Sequence, residues 1–248
     1  MEFADHFSGH STEYRRFRPG YPRELFAWLA QQAPARTVAW DAGTGSGQSA
    51  IGIAAHFELV IATDPSAAQL ANAETHPRVS YRVAAEELAD LAGGGVDLVT
   101  AAQALHWFNF DRFFTEVRRV LKPGGIVAVW AYNHSTVGPE VDDVVRRFQE
   151  ETVGPWWPPQ RVHVDGGYRQ VSFPFDELAA PSFAARHEWT ARHFLEYLRT
   201  WSSVKAYQRE LSVDPVDLLE REFLAAWGEA EKKRRVSFPL ILRAGRTA

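Results

Sequence analysis

The chain has 248 residues and a formal net charge of -4, long enough for one large domain with a substantial core and too acidic for a general nucleic-acid binder. It has no cysteine, which excludes disulfides, thiolate metal sites and cysteine nucleophiles, and its nine histidines are scattered without the companions a zinc site needs, so no metal is expected. Met1 is followed by Glu2 and Asp5 instead of a basic start, and no apolar run approaches the roughly 18 residues of a membrane span, so we expect a cytoplasmic protein with no membrane or nucleic-acid partner.

From residue 38 to about 133, short apolar segments alternate with helical patterns, which predicts a parallel sheet covered by helices on both faces. Val38 to Asp41 is the first strand and about Gln48 to His56 its helix. Leu59 to Asp64 is the second strand, ending on an acid, with a helix over Ala67 to Ala73. Val79 to Val83 and Val96 to Ala102 are the third and fourth strands; the loop Gln103 to Phe108 and a helix to about Val120 follow. Lys122-Pro123-Gly124-Gly125 reads as a turn that ends that helix, and Ile126 to Tyr132 is the fifth strand. Beyond it the alternation weakens. Val141 to Gln149 is helical, and Gly154 to Phe175 is a long loop or irregular cap. Phe183 to Trp189 is a strand, Ala191 to Arg209 and Pro215 to Lys233 are helical, and Val236 to Arg243 is a last strand.

The segment Asp41-Ala42-Gly43-Thr44-Gly45-Ser46-Gly47 joins the first strand to its helix. Glycines at alternate positions permit positive φ and close approach of a ligand to the backbone, and the following helix aims free N–H groups at it. A dinucleotide fingerprint needs Gly-x-Gly-x-x-Gly, and here the third glycine comes one residue early, at Gly47. Asp64, ending the second strand beside Pro65, is placed to take both hydroxyls of a ribose; it can also merely cap the next turn. Asp41 can accept from backbone N–H groups of its own turn or reach a ligand ammonium through water. His106 follows the fourth strand and titrates near neutrality, so it is a candidate general base, or else a packing and substrate-binding residue against Trp107.

The order Asp-x-Gly-x-Gly-x-Gly, Asp64, Ala84-Ala85-Glu86 and Leu121-Lys122-Pro123-Gly124-Gly125 resembles the class I S-adenosylmethionine-dependent methyltransferases. Phe3-Ala4-Asp5-His6-Phe7, Tyr14, Arg18-Pro19-Gly20-Tyr21-Pro22 and Gln103-Ala104-Leu105-His106-Trp107-Phe108 look closest to the small-molecule branch that includes trans-aconitate methyltransferases. The resemblance implies a doubly wound, Rossmann-like α/β fold of seven strands, mostly parallel with the last antiparallel, and helical cap segments. It implies S-adenosylmethionine as cofactor, S-adenosylhomocysteine as product, and methyl transfer to a small organic acceptor, most readily at oxygen and conceivably at a carboxylate. In a single domain, 1–36 would be an N-terminal lid, 37–133 the cofactor core, 134–181 and 191–235 substrate-side insertions, and 182–190 and 236–244 the final strands.

Carried over by position, Gly43, Thr44 and Gly45, with Gly47, would line the methionine and ribose part of the cofactor, and Asp64 with Pro65 the ribose. Ala85 and Glu86 would position adenine, although many relatives have Asp where this chain has Ala84. Gln103 would lie beside the sulfonium through its backbone carbonyl, and Tyr14 and Arg18 would close over the cofactor carboxylate. Trp107, Tyr132 and Trp201 are candidate substrate contacts, and Arg18, Arg161 or Arg169 can pair with a substrate carboxylate. A nicotinamide-dependent oxidoreductase and a non-catalytic module keeping the cofactor fold are the alternatives.

Overall fold

The computed structural model describes residues 16–85 and 90–247. Five strands, β1 (Val38–Ala42), β2 (Leu59–Asp64), β3 (Val79–Val83), β4 (Val96–Ala102) and β5 (Leu121–Tyr132), pair in parallel in the order β3-β2-β1-β4-β5. The last strand, β8 (Arg234–Arg246), runs antiparallel beside β5. Its other edge takes two segments in succession, β6 (Asp176–Glu177) against its end and β7 (Ala184–Trp189) against its start, so the sheet is seven strand positions wide as expected.

The central strands are apolar at nearly every position because both faces are covered. Ala39, Leu98, Ile126 and Trp130 pack on one face under α1 (Arg23–Gln32) and α2 (Gln48–Ala54). Trp40, Val99, Val127 and Val129 pack on the other under α4 (Phe110–Val120); α3 (Ala67–Ala71) sits between β2 and β3 in the chain. Helix α1 was not anticipated. Pro22 precedes it, and Leu25, Phe26, Leu29 and Ala30 form its buried stripe, so these four residues of the segment expected as a lid pack into the core.

A third apolar cluster lies at the far end of the sheet, where α5 (Pro139–Arg147), α7 (Ala191–Arg199) and α9 (Pro215–Trp227) gather around Tyr132, Trp189, Trp201 and Phe238. The helix expected over 191–209 is two helices, α7 and α8 (Ser202–Leu211). Thr200 Oγ1 donates to the Tyr197 carbonyl at 2.6 Å and Trp201 takes an extended conformation that turns its ring into the core, which stops one helix and starts the next. The long irregular stretch contains 3₁₀ turn Gly154–Trp156 and short helix α6 (Arg161–Asp165), and α5 continues into a π-helical turn over Phe148–Thr152. Arg243 on β8 anchors the end of that stretch by donating to the carbonyls of Tyr168 (2.8 Å) and Val171 (2.7 Å) while pairing with Glu177 at 2.6 Å. Strand β5 also begins earlier than expected: Leu121 pairs with Val96 and Ile126 with Leu98, so Lys122 to Gly125 bulge out of a strand already started.

At the opposite end from the strand tips, Asp97 staples three elements. Fully buried, it accepts from the backbone of Thr37 and Val38 at 3.0 Å each, from the Thr37 hydroxyl at 2.5 Å and from Lys122 Nζ at 2.7 Å. Burial alone would raise its pKa, but the Lys122 and Thr37 bonds outweigh it and hold the group below the ordinary range. A depressed carboxylate stabilises the fold above its unfolded pKa and loses that contribution as pH falls through the folded value. Asp97→Ala is therefore expected to cost roughly 2 to 4 kcal/mol in urea unfolding at neutral pH, and this gap should narrow below about pH 4. A constant gap across that range contradicts the assignment.

Candidate active site

The strand order reverses between β1 and β4, and in open parallel sheets the crevice at that switch point, beyond the carboxyl ends of the strands, receives the ligand. Asp41, one residue from the end of β1, is fully buried there. Thr44 Oγ1 donates to its Oδ2 and Thr100 Oγ1 to its Oδ1, both at 2.6 Å. Burial pushes its pKa up to about 6 against the opposing hydroxyl bonds. Asp41 thereby ties the glycine turn to β4 from beneath, through side-chain hydroxyls where backbone N–H donors were expected.

The glycines differ in purpose. A Cβ on Gly43 (φ +64) would fall 2.7 Å from the Ala104 Cβ and 2.9 Å from the Phe108 ring, so this glycine makes room for the loop after β4. At Gly45 (φ +55) nothing lies within 4 Å of the Cβ position, and its missing side chain leaves open space. Beside that space stands Asp64, whose Oδ2 accepts from Gly45 N at 2.9 Å and whose Oδ1 accepts from Ser66 N at 2.8 Å across Pro65. The cap on the following turn is thus present, and the same carboxylate is oriented at the glycine turn. Gly47 precedes α2 in the left-handed region. Ala84 N donates to the Asp64 carbonyl at 3.2 Å, which brings the start of the expected adenine segment alongside; Ala85 is exposed. Tyr14 and Glu86 lie outside the described residues.

On the β4 side, Gln103 takes φ +53, an uncommon conformation for a residue with a Cβ. Its N–H donates to the Trp130 carbonyl at 2.8 Å and its Nε2 to the Tyr132 carbonyl at 3.0 Å, which fixes a sharp corner into the 3₁₀ turn Leu105–Trp107. A cavity of about 70 Å³ opens there, walled by Gln103, His106, Trp107, Tyr132 and Trp201 together with Arg18, Asn133, Trp157, Arg161 and Tyr197. Arg18 donates to the Tyr132 hydroxyl at 3.3 Å and to the Thr200 carbonyl at 3.0 Å, with its guanidinium 5.6 Å from the Tyr197 ring centre. Arg161 donates to Asn133 Oδ1, pairs with Asp165 at 2.9 Å and lies 4.0 Å over the Trp157 ring. Arg169 is exposed and takes no part in the wall. Trp156 packs on Tyr207, and Trp189 on His193, away from the cavity.

His106 presents Nδ1 to the Tyr168 hydroxyl at 3.0 Å. Burial, reinforced by the positive field of Arg161, His163 and Arg18, pushes its pKa down to about 3, so the imidazole is neutral at physiological pH. Asn133 carries no sequence signal, and Trp157, Tyr168 and Tyr197 belong to an aromatic-rich cap region in which the sequence does not mark which rings turn inward. They come from segments distant from β4 in the chain. Among the described residues no cluster of His, Asp or Glu suits a metal, and no helix is long and apolar enough to cross a membrane.

Residues 40–129 match the family described as a methyltransferase domain. A Dictyostelium discoideum protein named as a methyltransferase is 31% identical, covering 97% of this chain and 94% of its own. A Saccharomyces cerevisiae protein named as an S-adenosylmethionine-dependent methyltransferase is 31% identical over 49% of this chain and 45% of its own. A solved structure described as a type II methyltransferase, from Anaeromyxobacter dehalogenans, superposes with a TM-score of 0.87 at 48% identity, covering 93% of this chain and 98% of that one. The chain belongs to the class I S-adenosylmethionine-dependent methyltransferases. It is therefore an enzyme with S-adenosylmethionine as cofactor, and the nicotinamide and non-catalytic alternatives are set aside.

The residues present fit that cofactor. Gly45 leaves a space that a Cβ would fill, a carboxylate is oriented beside it, and a cavity begins at Gln103 on the neighbouring strand. Hydrogen bonds to a charged group contribute roughly 1.5 to 3 kcal/mol each. Calorimetry with S-adenosylhomocysteine is accordingly expected to show affinity falling by at least about tenfold in Asp64→Ala and in Asp64→Asn. Unchanged affinity in both variants contradicts the role of Asp64.

Proposed function

We propose that this methyltransferase acts on a small organic acid and places the methyl group on a carboxylate oxygen. The reading is carried by the cavity beyond Gln103, where the guanidinium groups of Arg18 and Arg161 stand among aromatic rings and the imidazole in the same wall has a pKa near 3. A base with so acidic a conjugate acid is poor at removing a proton from a hydroxyl or an ammonium, whereas an ionised carboxylate needs no base at all. Guanidinium matches carboxylate in geometry and charge, and the rings of Trp157, Tyr197 and Trp201 suit a flat or apolar body. The resemblance to the trans-aconitate branch points the same way.

Bound S-adenosylmethionine supplies an electrophilic methyl group on a sulfonium. The protein's part is placement. Asp64 would hold the ribose diol, Gly43, Thr44 and Gly45 would line the methionine and ribose part, Ala85 and Glu86 would position adenine, and Gln103 would lie on the sulfonium side. Tyr14 and Arg18 would close over the cofactor carboxylate from the N-terminal segment. Segments 134–181 and 191–235 form the substrate-side cap and exclude water. In-line alignment of donor and acceptor in such a site contributes up to about 7 to 11 kcal/mol of the barrier.

Incubation with methyl-labelled S-adenosylmethionine and a panel of aliphatic and aromatic acids, trans-aconitate among them, is expected to give label that mild alkali releases as methanol, the behaviour of a methyl ester. Alkali-stable label, or transfer only to amines and phenols, contradicts the reading. Arg161→Ala should raise KM for the acid by at least about tenfold, the loss of one charge-assisted contact, while affinity for S-adenosylhomocysteine stays unchanged.

A further inference from the structure

We infer that Tyr168 is a positioning residue that fixes His106 as the neutral imidazole with its proton on Nε2, so that His106 gives the acceptor a hydrogen bond instead of taking a proton from it. The inference rests on the acid-acceptor reading for what Nε2–H binds, but the tautomer itself depends only on the protein. Tyr168 Oη and His106 Nδ1 are 3.0 Å apart, and the two rings lie 28° from parallel with centroids 6.4 Å apart.

The tyrosine is held as a rigid partner. It is 1% exposed, its backbone sits in the left-handed region at φ +55, its N–H donates to the His163 carbonyl at 2.8 Å, and its own carbonyl accepts from Arg243 at 2.8 Å. A phenol has one hydrogen to donate, and among the described residues His106 Nδ1 is the acceptor placed to take it. Burial raises the phenol well above its ordinary pKa, against smaller opposing effects of the His106 backbone and Arg161, so that hydrogen stays on oxygen.

A neutral imidazole has one donor and one acceptor nitrogen, so a hydrogen bond accepted at Nδ1 from Tyr168 leaves the imidazole's own hydrogen on Nε2. The reverse arrangement, with a basic lone pair at Nε2, would require Nδ1–H to point at Tyr168 and would strand the buried phenol hydrogen. The groups facing the ring are Arg161, His163 and Arg18, which all oppose a second proton, together with the Trp107 ring at 4.9 Å. His106 lines the acceptor cavity, and Nε2 is the nitrogen that Tyr168 does not occupy. A carboxylate has two oxygens: one can be held by Nε2–H while the other faces the methyl donor.

The test uses the full chain labelled with ¹⁵N-histidine and bound to S-adenosylhomocysteine. Two-bond ¹H–¹⁵N spectra are recorded from about pH 5 to pH 8, where an ordinary histidine titrates, and the His106 signals are assigned by their loss in His106→Gln. The Nε2–H pattern is expected throughout without titration, and Tyr168→Phe is expected to give a mixture of tautomers while still binding S-adenosylhomocysteine. An Nδ1–H pattern, an imidazolium appearing in this range, or a Tyr168→Phe spectrum identical to the parent overturns the inference. If Tyr168→Phe does not fold, the parent spectrum decides alone. Failure of the acid-acceptor reading would show instead in the methyl-ester assay and would leave these spectra unchanged.

Discussion

A single buried carboxylate organises the site. Asp41 accepts the hydroxyls of Thr44, from the glycine turn, and of Thr100, from the neighbouring strand β4, and so couples the two loops that flank the point where the strand order reverses. Gly43 lets those loops touch, because a Cβ there would collide with Ala104 and Phe108. With both loops fixed, Gly45 and Asp64 face one side of the crevice and Gln103 and His106 the other. The protein thus accepts a carboxylate destabilised by burial in exchange for a preset distance between cofactor seat and acceptor cavity.

Two fully buried acids, Asp97 and Asp41, show how environment assigns roles. Asp97 has a lysine and two backbone amides and stays ionised at the closed end of the sheet, where it serves the fold alone. Asp41 has only hydroxyl donors, and its pKa rises toward 6. His106 is pushed the opposite way from an acid by the same desolvation, and neighbouring cations add to it. The proposed acceptor, already charged and nucleophilic, suits a cavity lined by two guanidinium groups, aromatic rings and an imidazole held neutral.

Much of this was legible in the sequence, for a definite reason. Strands β1, β2, β4 and β5 are largely buried and read as short apolar runs between turn signals, and the glycine turn with its early third glycine, followed in order by Asp64, points to a nucleoside cofactor through residue type and spacing alone. Helix α1 escaped because its apolar stripe of four residues falls in a short segment whose proline and tyrosine motif drew attention to a lid instead. The break at Thr200 and Trp201 escaped because the apolar pattern runs through it; only the burial of the Trp201 ring, a tertiary fact, selects two helices. The acceptor side was least legible. Arg161 was one of three candidate arginines, and Trp157 and Tyr197 reach the cavity from separate segments, with no local spacing to mark which aromatic turns inward.

The central claim is that the cavity between Arg18 and Arg161 receives a carboxylate in line with the methyl donor. A crystal structure with S-adenosylhomocysteine and an acid that the enzyme methylates tests it most directly. The account predicts the acid's carboxylate within hydrogen-bond reach of at least one of the two guanidinium groups, one of its oxygens on His106 Nε2 and the other facing the sulfur. An acceptor bound elsewhere, or one that turns a neutral nitrogen or carbon toward the sulfur with both arginines unengaged, contradicts it.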